Sequence, residues 1–270
     1  MLTQQDFSSW AALEAHVQEL AQTNAVVSES DVGHYSHLLF RGQSSQGWEL
    51  ETTLERRKPH FTELSEYYRL IGVAKAQVET FTTRSWSALD QQAIKAQLAQ
   101  YDGIRFANLP AYDYLVYLRH HGFPSPLLDW SRSLYVAAYF AFQQPKAQRV
   151  ALYVYQEHAG AGKLSSSNFP QIFVLGPNVR SHPRHFLQQG EYTLCAQFSA
   201  DAWLFASHSG VFGKGKEEQD KLWKFTVPAS EAPAVMKRLD EYNINAFSLF
   251  QSEEALLETI ARRHLPSFPP

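Results

Sequence analysis

Residues 120–133, together with the apolar run that follows them, constrain the fold of this chain more than any other part. Each of the two prolines in this stretch forces extended backbone on the residue before it, Phe123 in one case and Ser125 in the other. A helix therefore cannot run through the stretch. The run Leu134–Phe142 is apolar on every side, which predicts a helix packed on more than one face, and Pro145 ends it.

Polar side chains stand immediately before this predicted helix. Asp129, Ser131 and Ser133 each carry an oxygen that can accept a hydrogen bond from the first free N–H groups of a helix. Those N–H groups and the helix dipole favour negative charge, so the turn is suited to a phosphate-bearing ligand. The alternative is that Asp129 and Ser131 only cap a core helix. The residues themselves leave both interpretations open.

Composition places the chain among globular proteins with a substantial core, because 44% of its 270 residues are hydrophobic. The net charge of −3 gives no generally basic surface, so a nucleic-acid partner would need a local patch. The single cysteine, Cys195, excludes an internal disulfide and a cysteine-built zinc site, and it fits a reducing compartment. Since no apolar stretch reaches membrane-spanning length, the expected location is cytoplasmic.

Hydrophobic periodicity predicts a single α+β domain with a helical first half and a mixed or antiparallel sheet. The predicted helices cover residues 7–21, 61–81, 89–101, 110–121, 134–142, 229–242 and 253–264. The predicted strands cover residues 38–41, 149–155, 171–175, 192–198 and 222–227. We expect residues 1–34 to form a docking helix that can bind a protein partner, residues 35–260 the main domain, and residues 261–270 a tail. The charged segment 50–59 predicts a loop that covers a site.

Arg41 and the tandem pair His120 and His121 are candidates for binding an anion and a metal, respectively. Arg41 ends the short predicted strand beside Gly42, and its rigid fork of five donors suits phosphate or carboxylate. A structural ion pair would explain Arg41 equally well, for example if Asp129 were a buried carboxylate paired with Arg41 or Arg184. The tandem His120 and His121 lacks the H-E-x-x-H spacing and a third ligand, so we expect no metal site.

Several short motifs follow one another along the chain in a characteristic order. They are Phe40-Arg41-Gly42, residues 120–131, residues 137–141, Pro183-Arg184, residues 188–193 and residues 243–250. With this combination the chain resembles the FRG domain family, from about residue 38 to residue 257. That family occurs among bacterial and phage-associated proteins, so the resemblance implies a toxin or an antiphage effector.

A more distant resemblance, to ADP-ribosyltransferases of the Arg-Ser-Glu type, implies a mechanism. Those enzymes carry an aromatic-Arg-Gly motif at the end of a first strand, a serine motif leading into an apolar helix, and an acidic motif on a later strand. The order in this chain is the same. The resemblance implies a split β core and NAD as the substrate. It also implies a carboxylate at the ribose, because positive charge develops on the sugar as nicotinamide leaves.

The same resemblance implies roles for single residues. Arg41 would hold the pyrophosphate of NAD, and Ser131 would lie on the nicotinamide side of the pocket. Glu191, with Gln189 beside it, would act catalytically at the ribose. The other implied NAD-binding residues are Gly42, His121, Asp129 and Arg184. The alternative is that Gln189 belongs to a turn at the start of a strand and Glu191 is a solvated side chain.

Two functions are consistent with these patterns. The first is an NAD-dependent ADP-ribosyltransferase-like enzyme that modifies a macromolecule, either protein or nucleic acid, or NAD itself. The second is a non-catalytic module that uses the same pocket to sense a nucleotide or to bind a protein. The enzyme interpretation requires Arg41, Ser131 and Glu191 to face one cleft.

Overall fold

The computed structural model describes residues 2–29, 35–100, 109–160, 169–212 and 219–265. The strands are β1 (Leu2–Asp6), β2 (Leu39–Gln43), β3 (Leu127–Ser131), β4 (Arg149–His158), β5 (Gln171–Val174), β6 (Gly190–Ser199), β7 (Ala202–Phe205) and β8 (Gln219–Pro228). The helices are α1 (Trp10–Glu29), α2 (Leu64–Thr82), α3 (Gln91–Leu98), α4 (Tyr112–His120), α5 (Leu134–Phe142), α6 (Pro183–Leu187), α7 (Ala232–Glu241), α8 (Ala246–Phe250) and α9 (Glu253–His264). Short 3-10 turns occupy Glu55–Arg57, His208–Gly210 and Ala229–Glu231.

The eight strands form one mixed sheet, as the sequence predicts for an α+β fold. Their order is β1-β8-β4-β2-β3-β6-β5, and β7 pairs with β6. β1 runs parallel to β8, and the other paired neighbours are antiparallel. The first half is mainly helical, as predicted, but it contributes β1 and β3 to the sheet in addition to the predicted β2. All five residues of β1 are exposed, so its sequence carries no burial pattern that would mark a strand.

β3 is the element that the sequence patterns misassign. The polar residues of 127–131 predict a turn before α5, but these residues form a strand inside the sheet. Four of the five residues are buried, because both faces of the strand are covered. A strand covered on both faces has no alternation of polar and apolar residues to reveal it. Its polar residues therefore looked like helix caps.

The sheet is nearly divided in two between β2 and β3. Over the residues that the structure describes, the ladder between these strands contains one residue pair, Phe40 with Ser131. By contrast, β2 pairs with β4 over five residues, and β3 pairs with β6 over five residues. Two groups of four strands, β1-β8-β4-β2 and β3-β6 with β5 and β7, therefore meet at a single pair and leave a gap beside it.

One face of the first group of strands carries the main hydrophobic core. α5 contributes most of its residues to this core, as expected for a helix that is apolar on every side. Trp10, Leu13 and Val17 of α1 are buried in the same core, and Ser9 Oγ accepts a hydrogen bond from the N–H of Ala12 as an N-terminal cap. The apolar face of the predicted docking helix is therefore covered by the chain itself. The division of the chain at residue 34 remains a prediction.

Most of the remaining helices were predicted in type and place. α9 begins and ends where the periodicity predicts, and Ser252 Oγ accepts a hydrogen bond from the N–H of Ala255 at 3.3 Å. The short elements α6, β7 and α8 were not predicted. The last five residues of the predicted tail lie outside the described residues. Among the described helices, none combines the length and the hydropathy that a membrane-spanning segment needs.

Gly42 is the position where the fold leaves no room for a side chain. A Cβ atom built on Gly42 would lie 1.8 Å from the carbonyl oxygen of Ala137 and 2.7 Å from the backbone nitrogen of Ala141. Both atoms belong to the backbone of α5, which cannot move aside as a flexible side chain can. The glycine therefore allows α5 to pack directly on β2.

We expect Gly42→Ala to lower the free energy of unfolding by about 3 kcal/mol or more, because the added methyl group overpacks a backbone contact. Urea denaturation of the purified chain measures this loss. Gly210→Ala is the matched control, since a Cβ at Gly210 would meet no atom within 4 Å. Equal stability of the two variants would contradict the close contact between α5 and β2.

Candidate functional site

A cavity of about 320 Å³ opens where β2 and β3 part. Its walls come from β2, β3, α4, α5, the start of β6 and the segment 48–56. This volume falls in the range of small-molecule sites. The predicted loop 50–59 contributes to the wall through Thr53 and Arg56. The gap in the sheet is thus also the place where polar side chains from several elements converge.

Asp129 lies between two arginines in this cavity. Arg41 Nη1 donates hydrogen bonds to the carbonyl oxygen and to Oδ1 of Asp129, at 2.7 and 2.5 Å. Arg119 Nη2 donates to the same Oδ1 at 2.5 Å. Burial raises the pKa of Asp129, but the charges of Arg119 and Arg41 outweigh that effect and hold the pKa well below its ordinary value. The carboxylate is therefore ionised at neutral pH.

The predicted ion pair between Asp129 and Arg41 is confirmed, and its third member is Arg119 rather than Arg184. The expectation that Asp129 caps α5 is wrong. Ser133 performs that role, since its Oγ accepts a hydrogen bond from the N–H of Val136.

The cavity wall carries more positive than negative charge. Arg41, Arg56 and Arg119 contribute three guanidinium groups, and Asp129 is the one carboxylate among the described residues of the wall. Burial, followed by the charges of Arg41 and Arg119, lowers the pKa of Arg56. The Nε atoms of Arg41 and Arg119 are buried and donate to no partner among the described residues. Arg41 Nη2 and Arg119 Nη1 also donate to no described residue, and they are not among the buried atoms, so they can donate to an anionic ligand.

Ser131 connects the two sides of the site. Its Oγ donates to the carbonyl oxygen of Gln188 at 2.7 Å and accepts from the N–H of Ser133 at 3.0 Å. It therefore joins the end of β3, the start of α5 and the turn before β6. Ser131 lines the cavity as predicted, and so do Arg41, Gly42 and Asp129.

The histidine that faces the cavity is His120, not His121. His120 Nε2 lies 2.6 Å from the hydroxyl of Tyr192, which also lines the wall. His121 is exposed, stacks on Tyr117 with ring centroids 3.9 Å apart and bonds through Nδ1 to the carbonyl oxygen of Tyr117. It is not among the residues that line the cavity. The predicted contact between His121 and a cofactor is therefore not met by this geometry.

Arg184 supports His120 from outside the cavity. Its Nη1 donates to the backbone carbonyl oxygen of His120 at 3.2 Å, and its guanidinium carbon lies 5.1 Å from the ring centroid of Phe250. Arg184 does not line the cavity, and among the described residues the carboxylate of Asp129 pairs with Arg41 and Arg119 instead. Arg184 is thus placed to hold the backbone at the end of α4.

Glu191 and Gln189 do not line the cavity. Gln189 has a left-handed backbone conformation, with φ of 49°, and its carbonyl oxygen accepts from the N–H of Arg132. Glu191 Oε1 bonds to His37 Nε2 at 2.8 Å and to Arg132 Nε. Burial raises the pKa of Glu191, but its hydrogen bonds to His37 and Arg132 hold the pKa below its ordinary value.

The requirement that Glu191 share a cleft with Arg41 and Ser131 is therefore not met. The alternative predicted a turn at Gln189 and a solvated Glu191. The turn is present, but Glu191 is not solvated, because its side chain is only 1% exposed. Sequence reasoning also missed Arg56, Arg119 and His120. The one signal for Arg119 and His120 was their position directly before the proline-rich stretch. Among the described residues, no three His, Cys, Asp or Glu side chains cluster as a metal site would require.

We expect Asp129→Asn to lower the free energy of unfolding at pH 7 by about 1–2 kcal/mol, since it leaves two guanidinium groups without their anion. The loss is below that of a fully buried pair because the Asp129 side chain is 40% exposed. The lowered pKa in the folded state means that this stabilisation is present above about pH 4 and disappears as the pH falls further. Urea denaturation from about pH 7 to about pH 3 measures it.

The exposed Glu241 provides the control, as Glu241→Gln. A difference between the parent and Asp129→Asn that grows as the pH falls would contradict this electrostatic assignment.

Comparison with known proteins gives one finding. The family model described as FRG domain matches residues 36–149. This range includes β2, α4, β3 and α5, and therefore also Arg41, Arg119, His120 and Asp129. The searches of curated proteins and of solved structures returned no match. The cavity at the division of the sheet is therefore built largely from residues 36–149, the range that matches the FRG domain.

Proposed function

We propose that this chain is an ADP-ribosyltransferase-like enzyme that binds NAD in the cavity between β2 and β3. The observation that carries the proposal is the excess of guanidinium groups in a cavity at the division of a split sheet. A phosphate-bearing ligand would neutralise that excess and accept hydrogen bonds from the guanidinium Nη atoms of Arg41 and Arg119 that do not bond to Asp129. Arginine forks suit such oxygens better than lysine would.

The cavity also offers apolar surface for a ring. Trp48 and Phe140 line it, and Trp48 is partly exposed to solvent. Aromatic side chains provide flat surfaces on which a base or a nicotinamide ring can pack. A wall that combines guanidinium groups with aromatic rings supports a nucleotide ligand over a simple inorganic anion.

The reaction would break the bond between ribose C1 and the nitrogen of nicotinamide, which leaves with the bonding electrons. An O–H or N–H group of the acceptor then bonds to C1 and loses its proton. Asp129 is suited to stabilise the positive charge that develops on the sugar, because its carboxylate lies in the cavity and stays ionised. In this proposal Asp129 takes the carboxylate role that the resemblance implied for Glu191. The cleft then has to contain Arg41, Ser131 and Asp129, and all three line the cavity.

The acceptor remains a macromolecule, protein or nucleic acid, or water acting on NAD itself. The same proposal includes a role as a cytoplasmic toxin or antiphage effector, because the FRG family occurs among bacterial and phage-associated proteins. These parts follow from the resemblance and gain no support from the cavity.

A second candidate function is a nucleotide-sensing module without catalysis. Two observations favour it. Asp129 Oδ1 is already bonded to both Arg41 and Arg119, and Glu191 is held outside the cavity by His37 and Arg132. A sensor would keep the anion-binding arginines and need no free carboxylate.

We expect Arg56→Gln to weaken NAD binding about 10-fold or more, since it removes one charged donor from the cavity. Isothermal titration calorimetry with the full chain measures the dissociation constant. Arg57→Gln is the matched control, because Arg57 is the neighbouring exposed arginine of the same 3-10 turn and does not line the cavity. Equal affinities in the two variants would contradict the placement of the ligand.

Nicotinamide release separates the enzyme from the sensor. We expect the parent chain to release nicotinamide from NAD, and Asp129→Asn to lower the release rate about 100-fold, the loss typical when one group that stabilises transition-state charge is removed. Chromatography of the reaction at pH 7 measures the product. Tight NAD binding without release by the parent chain would establish the sensor instead.

A further inference from the structure

We propose that Nδ1 of His120 is the general base that accepts the proton of the incoming acceptor, and that Tyr192 and His185 are positioning residues that keep this nitrogen unprotonated. The inference rests on the proposed transferase function and adds the residue that completes its proton balance. His120 lies on the cavity wall with Asp129 and Arg119.

Three side chains form a hydrogen-bonded series that ends on a backbone carbonyl. His185 Nε2 lies 2.8 Å from the carbonyl oxygen of Pro177. His185 Nδ1 lies 3.1 Å from the hydroxyl of Tyr192, and the same hydroxyl lies 2.6 Å from His120 Nε2. His185 and Tyr192 are both buried, and their rings stack with centroids 5.6 Å apart. Packing therefore fixes the series in place.

The carbonyl end of the series determines where each proton lies. A carbonyl oxygen can only accept, so Nε2 of His185 carries a hydrogen. In the neutral ring Nδ1 of His185 then accepts, and the hydroxyl of Tyr192 donates to it. The oxygen of Tyr192 is left to accept from Nε2–H of His120. Nδ1 of His120 consequently carries a lone pair, and among the described residues none bonds to that nitrogen.

The surroundings keep the ring of His120 neutral until it is used. Burial lowers the pKa of His120 to about 3, against the effect of Asp129, which raises it, and with smaller lowering effects of Arg119, His182 and His185. The burial of Tyr192 raises the pKa of its hydroxyl, so this group also stays protonated. The lone pair on Nδ1 is therefore present at neutral pH.

A base of low pKa is adequate for this reaction. As the acceptor oxygen or nitrogen bonds to ribose C1, its own proton becomes strongly acidic and needs only a nearby lone pair. The proton passes to Nδ1 of His120, the new bond to C1 forms, and nicotinamide leaves with the electrons of the old bond. The imidazolium that results is stabilised by the carboxylate of Asp129, the group whose charge favours protonation of this ring.

His120→Gln tests the proposal, because a glutamine amide can still donate to Tyr192 from the position of Nε2 while the lone pair at Nδ1 is lost. We expect the variant to bind NAD within about twofold of the parent and to release nicotinamide about 100-fold more slowly. Tyr192→Phe should give an intermediate loss, since it removes the contact that selects the tautomer. His264→Gln, an exposed histidine in the last turn of α9, is the control and should behave as the parent.

A second readout does not depend on turnover. Nitrogen-15 NMR of the histidine rings at pH 7 should show Nε2 of His120 protonated and Nδ1 unprotonated, and Tyr192→Phe should abolish this selectivity. The opposite tautomer, or a parent rate of nicotinamide release in His120→Gln, would overturn the base role alone. A parent chain that shows the expected tautomer and releases no nicotinamide would overturn the proposed transferase function, and the base role with it.

Discussion

Asp129 connects three elements at the place where the backbone of the sheet stops pairing. β2 and β3 share one residue pair, so backbone hydrogen bonds do little to hold their neighbouring ends. Side chains supply the connection there, because Asp129 of β3 binds Arg41 of β2 and Arg119 of α4. Without this carboxylate, two guanidinium groups would face each other across a narrow gap. The same interaction that holds the walls together therefore gives the cavity its charge.

Local patterns predicted the elements that have a single buried face or a clear cap. α9 is the best example, since Ser252 marks its start and its last turn carries basic residues. Local patterns failed for strands whose burial is total or absent. β3 is covered on both faces, and its polar residues are typical of a turn. β1 is wholly exposed at the edge of the sheet and has no alternation of polar and apolar residues that would predict a strand. In both cases the pairing partners, which are distant in sequence, determine the structure.

The candidate site shows the same limit. The sequence allowed Arg41 to be paired with Asp129, because a buried arginine and a buried carboxylate each need a partner of opposite charge. The pairing of Arg119 could not be predicted, since it depends on how α4 packs beside β3 in the folded chain. Glu191 was misplaced because adjacent residues of a strand face opposite sides. Tyr192 lines the cavity, and Glu191 beside it does not.

The tripeptide Phe40-Arg41-Gly42 holds three neighbouring residues that serve three different ends. Phe40 fills the core, Arg41 carries charge to the cavity, and Gly42 leaves space for the backbone of α5. The role of Gly42 depends on the space between strand and helix and not on the chemistry of a ligand. A relative with alanine at this place would have to hold its helix farther from the strand, and the width of its cleft would change accordingly. The glycine of the motif therefore indicates how closely the helix packs on the strand. A sequence can reveal this distance even where nothing is known of the ligand.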